Sequence, residues 1–473
     1  MQLARRTFLL SSLGVLAGCA HSSPGAGPAG GELTGDEELR RLVRHRILEQ
    51  HAAFAAVVAT LDASRRGVIV VQDPAASGEH APGADTIFEI ASLTKVFTAL
   101  LLAVEVVQGK APLDDPLQGY VPEGVTAPTF EGRQITLADL ATHGASLPLR
   151  PNNLAAGAPD AVNKYANYTL EQLYAGLPNY RLTRAPGTKF EYSNLAFGLL
   201  GQGIALREGK TFEEVLRTRV IAPLGLRDTS LVDDPAKAGR RAQGHDFDLN
   251  PIGPTGDGAL SPAGGLRSTA SDLLKLLDLF LSGRGPRDLV AASRLMLTID
   301  RPGDDDVTRM TLGWRKTTVH GETYYWSNGS GDGSRVFMGF NPVRRLGVVA
   351  LADTASGGGL DDIGRRVLDA QQQVDEAVIP VPAFVTLPED VLLRVIGRYE
   401  YAPGDAFEIT RGVTGLIVTA GTSQLVIKPQ SPTLYASRMA PGILFEFEGA
   451  DKGPARSLIL HQEGRTYVYR RTP

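Results

Sequence analysis

The chain is poor in the residues that several common chemistries need. It holds one cysteine, Cys19, in 473 residues. An internal disulfide is therefore impossible, and a thiolate metal site has nothing to build on. The eight histidines are scattered, and none forms the H-E-x-x-H pair that holds zinc on one helix face. No G-x-S-x-G occurs, which weighs against the strained serine elbow of the α/β-hydrolases. Basic and acidic residues nearly balance, 48 against 52, for a net charge of −4, so nothing marks a nucleic acid as partner. No metal and no cofactor are expected. What remains, 43% hydrophobic and 21% charged residues, fits a soluble globular protein with a large core. The length allows two or three domains.

Met1 to Cys19 reads as an export signal and is kept out of fold reasoning. Arg5-Arg6 precede Thr7-Phe8-Leu9-Leu10, and a small apolar run follows to Leu16-Ala17-Gly18-Cys19. Paired arginines point to the twin-arginine route, and the run is too short to span a bilayer as a helix. The ending L-A-G-C resembles the lipobox of bacterial lipoproteins, in which the cysteine is lipidated. The alternative is an ordinary cleaved signal with Cys19 discarded. The expectation is an exported, periplasmic protein anchored to the outer membrane by lipid on Cys19, with no other membrane contact. Residues 20–35, rich in Pro, Gly and Ser, read as a flexible tether. Oligomeric state is left open.

The stretch Phe88 to Leu100 organises the rest. It holds Ser92 and Lys95 as S-x-x-K, and Lys95 is the one lysine with a serine three residues before it. Val96, Phe97, Ala99, Leu100, Leu101 and Leu102 follow, a helix apolar almost all round and therefore buried. Residues three apart share a helix face, so the Lys95 amine stands one turn above the Ser92 hydroxyl. A serine hydroxyl attacks well only when a neighbouring base takes its proton, and a lysine serves as that base when burial or nearby cations lower its pKa. One such motif also arises by accident, so it needs company.

Company comes from Pro186-Gly187-Thr188-Lys189-Phe190-Glu191-Tyr192-Ser193-Asn194, ahead of an apolar helix. Tyr192 is placed as base or proton shuttle, and Asn194 as the amide that orients the lysine and meets a substrate carbonyl. Tyr165-Ala166-Asn167 repeats the Y-x-N spacing and is read as an ordinary surface tyrosine. The third element is Tyr324 to Gly331, then Ser334 to Phe340 and Leu346 to Asp353, three antiparallel strands by composition. Ser327, Asn328, Gly329 and Ser330 are expected against the substrate, with the Ser330 N–H paired to that of Ser92 as an oxyanion hole.

Together these motifs resemble the class C-like serine β-lactamase and penicillin-binding-protein family, which includes D-Ala-D-Ala carboxypeptidases, peptidoglycan endopeptidases and esterases. The likeness runs from about residue 50 to 375 and includes Arg184-Ala185-Pro186-Gly187, Pro223-Leu224-Gly225-Leu226 and Ala263-Gly264-Gly265-Leu266. It implies an α+β fold: a β-lactamase/transpeptidase-like antiparallel sheet with helices, built from both ends of the domain, with an inserted all-helical lobe. It also implies an acyl-enzyme on Ser92, with Lys95 and Tyr192 managing its proton. Two positions depart. The third motif, usually K-T-G or H-x-G, is Ser327-Asn328-Gly329, so its cation is missing. The loop usually reading H-T-S-G-L-P is His143-Gly144-Ala145-Ser146-Leu147-Pro148.

After a Pro-containing linker, 377–388, eight short alternating runs from Ile396 to Arg470 suggest a small C-terminal β-barrel, resembling the lipocalin-like domain often appended to this family. The expected order is signal 1–19, tether 20–35, catalytic domain 36–376, linker 377–388 and β domain 389–473. The leading function is a serine acyl hydrolase acting on small-molecule or peptidoglycan-type substrates: D-amino-acid peptides, β-lactams or esters. The alternative is a non-catalytic lipoprotein that binds cell-wall peptides with the same fold.

Overall fold

A computed structural model describes residues 36–62, 66–76, 81–154, 163–356, 359–378, 383–413, 415–421, 423–440, 442–462 and 464–472. The export signal, Cys19 and the tether lie outside the described residues.

The catalytic half is an eight-stranded antiparallel sheet. Its strands are β1 (Ala55–Leu61), β2 (Arg66–Gln72), β3 (Arg301–Pro302), β4 (Thr308–Met310), β5 (Arg315–Val319), β6 (Glu322–Ser330), β7 (Arg335–Asn341) and β8 (Leu346–Ala352). Their spatial order is β2-β1-β8-β7-β6-β5-β4-β3. The sheet thus joins the two ends of this half, Val58 of β1 opposing Ala350 of β8. β1 (AAVVATL) and β8 (LGVVALA) are runs of small and β-branched residues, almost wholly buried, as strands covered on both faces must be. Alternate residues feed different cores. Val57, Ala59, Val349 and Leu351 face the helical lobe. Ala56, Val58, Ala350 and Ala352 face α1 (Asp36–Arg44) and α7 (Asp361–Leu368). The helical reading from Asp36 holds, though beyond Arg44 it continues to Glu49 as one wider turn.

The lobe between β2 and β3 centres on α2 (Thr94–Val107), buried from Thr94 to Glu105. Leu100, Leu101 and Leu102 are each 0% exposed; three successive residues point in three directions, so protein surrounds this helix on every side. α3 (Leu137–Ala141) carries the capping box read from Thr136 and Asp139. α4 (Asn194–Glu208) follows the Y-x-N motif, while α5 (Ala270–Ser282) is N-capped by Thr269 and precedes α6 (Arg287–Thr298). A Cβ on Gly201 would come within 2.3 Å of Pro262, so the glycine lets the 259–263 segment lie directly on α4. That close approach carries Ala263 to the site described below.

The eight C-terminal runs form a closed antiparallel barrel, β9 to β16: Gly397–Ala402, Asp405–Arg411, Leu416–Ala420, Ser423–Pro429, Leu434–Ala436, Leu444–Glu448, Ser457–Gln462 and Arg465–Arg471. Tyr399 pairs with Arg471 and closes it, which removes free edges. Tyr399, Tyr435, Phe445 and Phe447 fill the interior with side chains, the packing typical of small eight-stranded barrels. The barrel touches the catalytic half where Lys428 Nζ meets Asp248 Oδ2 at 2.6 Å. Among the described residues no helix is long and apolar enough to cross a membrane.

Candidate active site

Ser92 sits in a tight turn, Ala91–Leu93, just ahead of α2. Ala91 adopts φ +44°, a left-handed conformation uncommon for a residue with a Cβ and frequent at functional sites. Lys95 Nζ donates to Ser92 Oγ at 2.9 Å, to Asn194 Oδ1 at 2.8 Å and to Ala263 O at 2.8 Å. Tyr192 Oη donates to Ser92 Oγ at 2.7 Å. One hydroxyl oxygen therefore lies between an amine and a phenol, and Asn194, two residues from Tyr192, holds the amine. Sequence placed these four residues together, and the structure brings them together.

Electrostatics matches the geometry. Burial lowers the Lys95 amine below the ordinary lysine range; Tyr192 opposes this and Arg315 adds to it. Burial pushes the Tyr192 phenol up, but Lys95, the Ser92 hydrogen bond and Arg315 bring it below its ordinary value. Amine and phenol are thus both held below their ordinary ranges, which favours the deprotonated forms that can accept a proton from Ser92.

β6 runs past the serine turn. A Cβ on Gly329 would meet Ile90 O at 2.6 Å and Ser92 N at 3.0 Å, so only glycine lets the strand lie this close. Gly331 N–H donates to Ser334 O, and ladder positions alternate along an antiparallel strand. The Ser330 N–H therefore points away from β7, toward the edge of β6 that β5 leaves uncovered beyond Trp326. This is the expected position for an oxyanion donor beside the Ser92 N–H. Ser327 shares the Gly329 face and is buried.

Asn328 is a correction. Its side chain faces α7, where Nδ2 donates to Asp361 Oδ2 at 2.5 Å. Side chains alternate across a strand, so if Ser327 and Gly329 face the serine, Asn328 cannot. Arg335, on the next strand, also points to Asp361 and pairs with it at 3.0 Å.

A cation does stand on the neighbouring strand, β5. Arg315 opposes Trp326 across the ladder. Its guanidinium lies 5.0 Å from the Trp326 ring centroid, 5.9 Å from that of Tyr192 and 6.0 Å from that of Phe190, and pairs with Asp304 at 2.8 Å. Sequence reasoning missed Arg315. The signal lay in the β5–β6 pairing, which places a residue at the start of one strand beside the third motif on the next.

Tyr165 is a second correction. It is no surface ornament: it lines the cavity at Ser92 and interacts with Asn194 and Arg150. Burial holds its phenol above the ordinary range, so it stays protonated. His143 also went unassigned. It stacks on Tyr192 with centroids 4.3 Å apart, and its Nδ1 accepts from the Ser193 N–H at 3.1 Å. Burial, then Lys95 and Arg315, hold it well below the usual imidazole range. It is a neutral wall that fixes the Tyr192-Ser193 backbone.

The cavity over Ser92 measures about 90 Å³, against the roughly 10–15 Å³ that one water needs. Among the described residues no group of His, Cys, Asp and Glu is arranged to hold a metal.

Residues 39–372, well over half of the chain, match the family model described as Beta-lactamase. Over 245 residues the chain is 34% identical to the D-alanyl-D-alanine-carboxypeptidase/endopeptidase AmpH of Escherichia coli strain K12, covering 49% of this chain and 61% of that protein. A beta-lactamase of Lysobacter lactamgenus is 29% identical over 250 residues, 52% of this chain and 60% of the relative. The chain thus spans about three fifths of these relatives' length. A class C beta lactamase structure from Rhodobacter sphaeroides matches with a TM-score of 0.59 at 23% identity, covering 70% of this chain and 97% of that one. A beta-lactamase/D-alanine carboxypeptidase from Yersinia pestis, complexed with citrate, matches with a TM-score of 0.59 at 22% identity, covering 71% and 98%. At these identities the structural likeness speaks for the fold.

Proposed function

The chain belongs to the β-lactamase family, and from that premise we propose that it is a serine acyl hydrolase working through an ester on Ser92 Oγ. One observation carries the proposal: Ser92 Oγ lies 2.9 Å from Lys95 Nζ and 2.7 Å from Tyr192 Oη. A neutral amine has two N–H groups and one lone pair. Asn194 Oδ1 and Ala263 O take the two N–H groups, which leaves the lone pair for the Ser92 proton. As that proton moves to Lys95, Ser92 Oγ bonds to the substrate carbonyl carbon. The carbonyl oxygen takes the negative charge between the N–H groups of Ser92 and Ser330, a contribution of about 3–4 kcal/mol per donor in related sites. Lys95 then returns the proton through Tyr192 to the leaving group as its bond to the carbonyl breaks. Water repeats the sequence in reverse to release the acid.

The substrate class we propose is D-amino-acid peptides of the peptidoglycan type, with simple esters also accepted and β-lactams turned over slowly. The 34% identity to a D-alanyl-D-alanine-carboxypeptidase/endopeptidase supports this reading. A carboxylate beside the scissile amide would meet Arg315 rather than a motif lysine. Arg315 already shares its charge with Asp304, so the grip is weaker than that of a free cation. A purely binding role would fit the neutral Ser327; the hydrogen-bonded Ser92, Lys95 and Tyr192 support the catalytic reading instead. We further propose export and lipid anchoring through Cys19. The direct test is labelling with a fluorophosphonate and a fluorescent penicillin: the full chain should label, and Ser92→Ala should not. A wild-type protein that neither probe acylates would overturn the proposal.

A further inference from the structure

The cavity over Ser92 is lined by Ser330, Gly331, Asp332 and Asp257, and not by Arg315 or Ser327. Three carboxylates border it, and two are already engaged. Glu89 accepts from Thr255 N at 2.8 Å and Thr255 Oγ1 at 2.6 Å, and Arg267 stands 3.5 Å from it. Asp332 accepts from Asn163 N at 2.6 Å. The Asp257 carboxyl has no hydrogen-bond or ion-pair partner among the described residues; only its backbone carbonyl is bonded, accepting from Leu260 N–H at 2.8 Å. It lies over Gly264, where a Cβ would come 3.0 Å from its Oδ2. Gly264 follows Ala263, whose carbonyl holds Lys95. The carboxyl therefore stands beside the catalytic amine with nothing to bond.

Charge sharpens the point. Burial raises the Asp257 carboxyl, Lys95 opposes this, and Glu89 and Asp332 add to it; the pKa is raised to about 7. Lys95 and Arg267 offset it only in part, and neither bonds the carboxyl. Arg267 is held by Asp233, Leu231 O and Thr255 O as well as Glu89, Lys95 is used by Ser92, Asn194 and Ala263, and Lys164 on the cavity rim has interactions of its own. An unmet carboxylate in a confined cavity favours a ligand that brings both positive charge and N–H donors.

We propose that Asp257 is a specificity-determining residue that receives a primary ammonium on the acyl portion of the substrate. The inference rests on the acyl-transfer reading above. Arg315 and Ser327 mark the side on which the leaving portion's carboxylate sits, so the acyl portion enters the Asp257 side. The substrates selected are acyl donors with a free amino group, such as a D-aminoacyl amide, over their N-acylated counterparts.

The experiment compares kcat/KM for D-alanine p-nitroanilide and N-acetyl-D-alanine p-nitroanilide, using the full chain and Asp257→Asn. Fluorophosphonate labelling runs alongside. Wild type should prefer the free amine by about 10- to 100-fold, the range expected for a charged hydrogen bond. Asp257→Asn should bring that ratio close to one, and because both substrates are read on the same enzyme the ratio reports the amine preference whatever the variant does to the acylation rate itself. In wild type the preference should grow about tenfold from pH 5.5 to 7.5, as the carboxyl ionises while the substrate amine remains largely protonated. This second readout needs no variant, so a poorly folding Asp257→Asn does not decide the matter. A ratio unchanged by Asp257→Asn, a wild-type preference for the acetylated substrate, or a pH-independent ratio would each overturn the inference. If wild type is never labelled, the acyl-transfer reading itself fails and this inference falls with it; labelling with no amine preference defeats the inference alone.

Discussion

Replacing Arg315 by Gln tests how this site manages without a lysine in its third motif. The side chain is 13% exposed and pairs with an Asp304 that is 35% exposed. A charged hydrogen bond to a substrate carboxylate contributes about 1.5–3 kcal/mol, and competition from Asp304 leaves roughly 1–2 kcal/mol of it. Arg315→Gln should therefore lower kcat/KM for a D-Ala-D-Ala peptide by about 5- to 30-fold and leave p-nitrophenyl acetate within about twofold. A second effect is independent of any carboxylate. The guanidinium stands 5.9 Å from the Tyr192 ring centroid, where a unit charge acts with about 2–3 kcal/mol at an effective dielectric near 20, before Asp304 cancels part of it. Arg315 lowers both Lys95 and Tyr192, so its removal raises both. The base must be deprotonated to act, so the acid limb of the ester pH profile should move to higher pH, by about half a unit to one unit. Asp304→Asn should do the opposite to peptide binding by freeing the guanidinium. The assay is a pair of kcat/KM profiles, peptide and ester, from pH 5 to 9. Equal losses on both substrates with no shift of the acid limb would refute the reasoning.

The two tyrosines separate cleanly by substitution: Tyr192→Phe removes the phenol on Ser92 and should cost about 10²- to 10⁴-fold in kcat, whereas Tyr165→Phe loses a contact with Asn194 and should cost less than about tenfold. A larger loss in Tyr165→Phe would reverse the assignment. Gly329→Ala forces a methyl to within 2.6 Å of Ile90 O and 3.0 Å of Ser92 N; it should destabilise the fold by about 1–3 kcal/mol and slow fluorophosphonate labelling, as thermal melts and labelling rates would reveal. Cys19→Ala should release the protein from membranes, because stable anchoring needs more than one acyl chain; unchanged fractionation would refute lipidation.

The parts legible in sequence are those set by local geometry. Ser92 lies in the turn that leads into α2 and Lys95 in the first turn of α2, so the three-residue spacing brings them together, and the apolar run that follows forces burial. Tyr192 and Asn194 stand at the start of α4, fixed by a preceding turn. All eight barrel strands fall on alternating runs, because period-two patterning survives wherever one strand face is packed and the other is not. Asn328 was also readable: strand parity alone sends its side chain away from Gly329. Ser330 belongs to the same parity, so its contribution is the backbone N–H rather than the hydroxyl.

What could not be read is what tertiary pairing supplies. Arg315 is twelve residues from Ser327 in the chain, and nothing local distinguishes it from any other arginine opening a strand. It enters the site because β5 ends opposite Trp326 while β6 runs on for four residues more. The uncovered edge that results does two jobs at once. It leaves the Ser330 N–H, which strand parity points away from β7, without a partner on β5, and it sets a guanidinium 5.0 Å from the Trp326 ring centroid and 5.9 Å from that of Tyr192. The same stagger that opens the oxyanion position thus supplies the positive charge. A site whose motif appears one cation short is complete in charge once two strands of unequal length are laid side by side, and its demand on the substrate differs accordingly. The cation reaches the site as a shared, planar group already paired with Asp304, not as a free ammonium. On the reading proposed above, substrate selection then shifts from the carboxylate end toward the other end of the cavity.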